Sequence, residues 1–417
     1  MSSDLAYSVL SYFAYFIICF FSFRKNPFVF PSPSSFFLYY VVLLCFPGFF
    51  LFYKGNETPV FGVGNFVIFY DHVCYCLLAV YISAVFACFI SEKLFKNRPY
   101  YLPCPHVSNY AFLVCLFFIL CWIIFPKRLT FLEDLWRSFI SGSSLESNYL
   151  RRIQYAEGFY ETKVFTWLRY SIVPLCLSFV FFYSRTRLGL IFSLFIFCCL
   201  FLASAASFHK SSWLMPFVYS FLLYALFFTN SRIHKRFFWL IPFTLMPFIL
   251  LLLYLIQYRE YGLDLFEEHL AVSFERFYSA FTGSIIAFTS EFRFDSVNLE
   301  NVFLPAGRAE TSPEEIVGLS TGGFTTFQAG VMGAFYAALG FVGIILYVVF
   351  FSLVILLVDF LYFSLIQNGF SLCSFLLILP PIWILQASLY PALFSSGLFI
   401  LILIAIPSLL SRKIISF

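Results

Sequence analysis

The sequence predicts an all-α, polytopic integral membrane bundle of about eleven spans, and three observations carry that expectation. Of 417 residues 62% are hydrophobic and only 11% charged, with a mean hydropathy of +0.91; a water-soluble globule needs far more polar surface. Apolar runs of spanning length recur along the chain, and in hydrocarbon only a helix or a closed barrel satisfies its own backbone groups. Two long polar stretches alone interrupt that rhythm.

Taken in order, the spans are read near 5–23, 36–53, 66–90, 110–125, 168–184, 188–206, 213–229, 237–258, 334–360, 371–389 and 393–411. The first is not a cleavable signal, because Arg24 and Lys25 follow its apolar run instead of preceding it. The third opens on Asp71 and His72, and the ninth closes near Asp359; all three residues lie close to the interfaces, without the central row of acids a proton relay would use. The apolar stretch 327–366 exceeds one span, so a re-entrant segment or a further short helix there would bring the count to twelve. The whole chain, 1–417, then reads as one transmembrane domain with outer loops at 126–167 and 259–326.

Orientation follows from the short connections. Arg24–Lys25, Lys93 with Lys96 and Arg98, Arg185 with Arg187, Arg232 with Lys235 and Arg236, and Arg412–Lys413 all follow odd-numbered spans. Basic residues concentrate on the cytoplasmic side, which places these ends inside and both long loops outside. Four spans separate the two loops, so they share a side whatever the total.

Cysteine chemistry has little support. Eleven of twelve cysteines sit in apolar runs, Cys104 alone lies in a polar stretch, and no C-x-x-C occurs, so neither a metal site nor a redox pair is expected. A dispersed net charge of +4 argues against nucleic acid as a partner. Without a Walker loop, a strand-borne G-x-G-x-x-G or an H-E-x-x-H, no nucleotide, cofactor or metal is called for.

The residues that can carry chemistry lie on the outer side. The loop 126–167 holds Lys127, Arg128, Arg137, Arg151, Arg152 and Lys163, with Arg169 just beyond it, against five acids. Such an excess of cations opposes the positive-inside bias. Guanidinium forks bind phosphate oxygens bidentately, which makes Arg151, Arg152 and Arg169 candidates for a phosphate or pyrophosphate, while screened surface pairs are the plainer account. The loop 259–326 is acidic, and Arg259, Arg276, Arg293 and Arg308 stand isolated within it. Glu275 and His269 are candidate general bases there, against the commoner roles of a solvated carboxylate and a capping imidazole. Lys210, in the string SFHKSSW, either snorkels at the interface beside Trp213 or binds an anionic group at the mouth of the bundle.

The stretch AASFHKSSWLMP, residues 205–216, and TTFQAGVMGAFYAALGFVGII, beginning at Thr325, resemble segments of the O-antigen polymerase (Wzy-type) family of oligosaccharide repeat-unit polymerases. The first matches a small-residue, basic, serine stretch ahead of a proline-bearing span through Lys210, Ser211 and Pro216. The second matches a glycine-rich entry into a late span through Gly330, Gly333, Gly340 and Gly343. The resemblance is mainly one of architecture and covers most of the chain, although the family's R-x10-G arginine spacing is absent from both loops.

It implies a bundle similar to the GT-C glycosyltransferases in a bacterial inner membrane, with its long loops in the periplasm. It also implies glycosyl transfer from an undecaprenyl pyrophosphate-linked oligosaccharide to a second lipid-linked repeat unit, and a chain-length regulator as a protein partner beside the lipid bilayer. In that setting Arg151, Arg152, Arg169, Arg259, Arg276 and Arg293 would contact pyrophosphate or anionic sugar, Lys210 would assist, and Glu275 or His269 would take the acceptor proton. An O-antigen ligase, which passes the glycan to a lipid A core, is the nearest alternative. A flippase or transporter of the lipid-linked oligosaccharide is the alternative from another class, and would show internal repeats and polar residues lining the bundle.

Overall fold

The computed structural model describes residues 7, 10–18, 32–52, 57–59, 65–67, 70–95, 172–174, 176–177, 187–205, 219, 330–367, 374–386 and 402. These residues are helical apart from one short hairpin. Residues 10–18 are helical, followed by α1 (Pro33–Tyr40), a π-helical turn (Val41–Cys45) and α2 (Phe46–Phe52), which run on without a break. The hairpin pairs β1 (Glu57–Pro59) with β2 (Asn65–Val67), antiparallel, Thr58 opposite Phe66. Then come α3 (Tyr70–Phe95), α4 (Arg187–Ala205), α5 (Gly330–Leu339), α6 (Phe341–Gln367), a 3-10 turn (Phe375–Ile378) and α7 (Pro380–Gln386). Among the described residues, three helical stretches are long and apolar enough to cross a bilayer: Pro33–Leu51, Cys74–Phe95 and Phe341–Gln367.

The chain's contacts divide it into two units. One joins 1–98, 264–360 and 378–394, and the other joins 99–263, 361–377 and 395–417. In the second, Tyr219 is fully buried and meets the Phe375 ring edge-on at 5.3 Å. There α4 buries Ile196, Cys199 and Leu200 while Ile191, Leu194, Phe195 and Leu202 face outward.

The first unit is built on α1, α3 and α6. α1 starts where it does because Ser32 caps it: Ser32 Oγ accepts from the Ser35 N–H at 3.2 Å, Ser35 Oγ accepts from the Ser32 N–H at 3.2 Å, and Pro33 occupies the first turn. This is the reciprocal capping box, with proline where its missing N–H costs nothing. The π turn that follows widens the ladder. There the Tyr15 hydroxyl donates to the Val42 carbonyl at 2.9 Å and ties the chain's first helical stretch to this helix.

α3 buries a face of small residues, Cys76, Ala79, Ser83, Ala84, Ala87, Cys88 and Ser91, and turns Tyr75, Leu78, Ile82, Phe86 and Phe89 outward. Without a solvent-driven hydrophobic force inside a bilayer, helices associate by close backbone approach, which small side chains permit. α6 uses that face. The Ser83 hydroxyl lies 3.4 Å from the Val348 carbonyl, and the Ser352 hydroxyl lies 3.4 Å from the Ser83 carbonyl. Both serines bond more closely to their own helix, at 2.8 Å to Ala79 and 2.6 Å to Val348. α6 in turn buries Tyr347, Phe351, Ile355, Val358 and Asp359 and presents Val342, Ile345, Val349, Leu353 and Leu357 outward.

These contacts set the helix directions. Tyr75 meets Phe341, Ser83 meets Ser352 and Ser91 approaches Asp359, so α3 and α6 run parallel. Phe37 meets Phe351, Ser34 meets Asp359 and Phe46 meets Tyr81, so the helix opened by α1 runs against both. Spans two, three and nine of the sequence reading have this parity.

The helix boundaries correct the reading in three places. The helix expected at 66–90 spans Tyr70–Phe95, running past Glu92 and Lys93, where the Lys93 ammonium lies over the Phe89 ring at 4.2 Å from its centre. The span expected at 334–360 is two helices: Gly340, at φ 65, ends α5, and α6 runs on to Gln367. Within the span expected at 371–389, the described residues form a 3-10 turn, a bend at Leu379 and the short α7, since Pro380 and Pro381 lack the N–H groups a continuous helix requires.

Candidate functional site

The described polar chemistry gathers where α1 begins and where α3 and α6 approach their ends. Asp359 is fully buried, as are Ser34 and, at 1% exposure, Ser32 and Ser91. One carboxylate oxygen of Asp359, Oδ1, accepts the Ser34 backbone N–H at 2.9 Å. That N–H belongs to the first turn of α1, whose donors have no partner within the helix. The carboxylate therefore caps a helix remote from it in sequence, where the positive end of the helix dipole favours it.

The Ser34 and Ser91 hydroxyls also approach the carboxylate, and the Cys88 thiol approaches Ser34. Asp359 Oδ2 and Ser91 Oγ are both buried and make no aligned hydrogen bond. Around Ser32 the hydroxyls form a closed set: Ser32 Oγ lies 3.1 Å from Ser34 Oγ and 3.0 Å from Ser35 Oγ, and Ser35 Oγ donates to the Ser32 carbonyl at 3.0 Å.

Sealed from solvent on every side, this cluster pins three helices at one level. Asp359, read from sequence as lying near an interface, lies near one end of α6 but is enclosed by protein. Its partners Ser34 and Ser91 were missed. The available signal was the S-P-S-S start of a span together with a lone acid in an otherwise apolar late helix. Asp71, by contrast, is exposed in the first turn of α3. Among the described residues no group of three or more His, Cys, Asp or Glu converges in a way that could hold a metal.

The residues expected to carry catalysis and binding, Glu275, His269, Arg151, Arg152, Arg169, Lys210, Arg259, Arg276 and Arg293, lie outside the described residues, as do both long loops. Of the two segments that carry the family resemblance, the glycine-rich one is described from Gly330 onward. Gly340 has the left-handed backbone that favours glycine. A Cβ on Gly343 would lie 2.0 Å from the Phe335 carbonyl oxygen and 2.6 Å from its carbon. These two glycines thus have local reasons to be glycine: one turns the chain and the other admits a neighbouring backbone. Comparison with known protein families, with curated proteins and with solved structures found no match.

Proposed function

We propose that this chain is a multi-pass, GT-C-like glycosyltransferase of a bacterial inner membrane that polymerises lipid-linked oligosaccharide repeat units, its two long loops facing the periplasm. One sequence feature carries the reading: the basic residues of the short connections all follow odd-numbered spans of the sequence reading, which by the positive-inside bias assigns the two long arginine-bearing stretches to the opposite side. The relative directions of α1, α3 and α6 support it, since they have the parity this topology assigns to spans two, three and nine.

In the proposed reaction the hydroxyl oxygen of an acceptor sugar attacks the anomeric carbon of the donor glycan. The bond from that carbon to the pyrophosphate oxygen breaks, its electron pair stays on undecaprenyl pyrophosphate, and the hydroxyl proton passes to Glu275 or His269. Arginine forks at the leaving group stabilise the charge that develops there. Arg151, Arg152, Arg169, Arg259, Arg276 and Arg293, with Lys210, are the groups assigned to pyrophosphate or anionic sugar. A chain-length regulator is the protein partner of such an enzyme.

The test is a gel of surface polysaccharide from cells whose only copy carries Arg276→Ala or Arg293→Ala. Loss of long chains with single repeat units retained on the core is expected for both. Unchanged long chains in both variants would overturn the assignment. In the deletion strain, loss of all repeat units from the core would indicate a ligase, and substrate held on the cytoplasmic leaflet a flippase.

A further inference from the structure

We propose that α5 is a half-membrane, re-entrant helix that rises to the face where α3 begins, and that the chain turns at Gly340 and only then crosses as α6. The membrane level is set by α3. From Tyr75 to Lys93 the helix rises about 27 Å, close to the hydrocarbon thickness of about 30 Å. Asp71, exposed, lies one turn beyond Tyr75, and Lys93 is exposed at the other end. Parallel to α3, α6 begins at the same depth, because the Tyr75 and Phe341 rings meet at 6.0 Å. Its outward residues are apolar from the first turn, with Phe341 59%, Val342 61% and Ile345 66% exposed. The first turn of α6 is therefore already in hydrocarbon.

α5 lies against this part of α6 and descends along it. The backbone of Phe335 touches Gly343, and the Phe335 ring meets those of Tyr347 at 6.4 Å and Phe350 at 5.5 Å. A continuous helix would hold residues 335 and 343 about 12 Å apart, so the chain folds back at Gly340. With 10 residues, α5 is about 15 Å long, half the hydrocarbon core. A helix ending at that depth is tolerated only inside protein, where its terminal donors can find partners. Val331 to Ala338 are all buried, on every face of the helix, and α7 packs against it.

Two measurements on the full-length, cysteine-free protein in lipid decide this. Spin labels at Asp71→Cys paired with Val331→Cys or with Leu339→Cys give two distances by pulsed electron resonance. The 71–331 distance is expected to be the longer, by about 10 Å for eight residues of descending helix. Equal distances, or a shorter 71–331 distance, would overturn the proposal. Independently, Thr321→Cys should react with an impermeant maleimide from the same side as Asp71→Cys. Reaction from the opposite side would mean that the chain crosses completely ahead of α6, and would equally overturn it.

Discussion

Replacing Asp359 separates its role as a hydrogen-bond acceptor from its role as a charge. In Asp359→Ala the Ser34 N–H, buried and 2.9 Å from Oδ1 in the native protein, loses its acceptor. A buried donor stranded in this way costs about 1–3 kcal/mol. The void left by the carboxyl group, which the surrounding helices fill only in part, adds about 1 kcal/mol. The expected total is about 2–4 kcal/mol.

Asp359→Asn keeps a carbonyl oxygen for Ser34 and directs an amide toward Ser91 Oγ, the hydroxyl that lacks an aligned partner. It also removes an acid from the protein interior, where an ionised group gains little net stability. The asparagine variant should lie within about 1 kcal/mol of wild type. Equilibrium unfolding in mixed micelles, followed by the fluorescence of the 6 tryptophans, reads both. Equal stability of the alanine variant and wild type would refute the capping argument. An asparagine variant as unstable as the alanine one would show that the charge matters and the acceptor does not.

The two glycines of the α5–α6 turn should rank in a definite order. Gly343→Ala places a methyl group against the Phe335 backbone, which cannot swing aside as a side chain can, so a loss of about 2 kcal/mol or more is expected in the same unfolding assay. Gly340→Ala strains a backbone at φ 65 and should cost about 1 kcal/mol; the reverse order would mean that the turn, not the close approach, is the critical feature. Leu353→Lys, on the outward stripe of α6 near its middle, should reduce membrane insertion of that helix by about 3 kcal/mol, read as the inserted fraction in a glycosylation-mapping assay, with Phe341→Lys costing markedly less.

Much of the architecture was legible because a bilayer reads sequence coarsely. Twenty apolar residues in hydrocarbon have few alternatives to a helix. The stretches near 36–53 and 188–206 accordingly appear as Pro33–Phe52, with its π turn, and Arg187–Ala205. Where hydropathy is uniform it carries no punctuation. From 327 to 366 composition allowed an extra short helix but did not say where one helix ended. The break at Gly340 depends on the Phe335 backbone lying against Gly343, a contact between segments that no periodicity encodes.

The buried cluster shows the same division. Ser32, Pro33 and Ser35 determine locally where α1 begins, since a capping box involves only neighbours in sequence. That the next donor in that turn should be satisfied by Asp359, 325 residues away, follows only from three helices meeting at one level. Sequence by itself determined that apolar helices of membrane-spanning length occur where the described residues show them, because that depends on composition summed over a span. Tertiary structure alone decided that Asp359 is enclosed and that α5 turns back on α6, because both depend on which backbone comes within hydrogen-bonding or van der Waals reach of another.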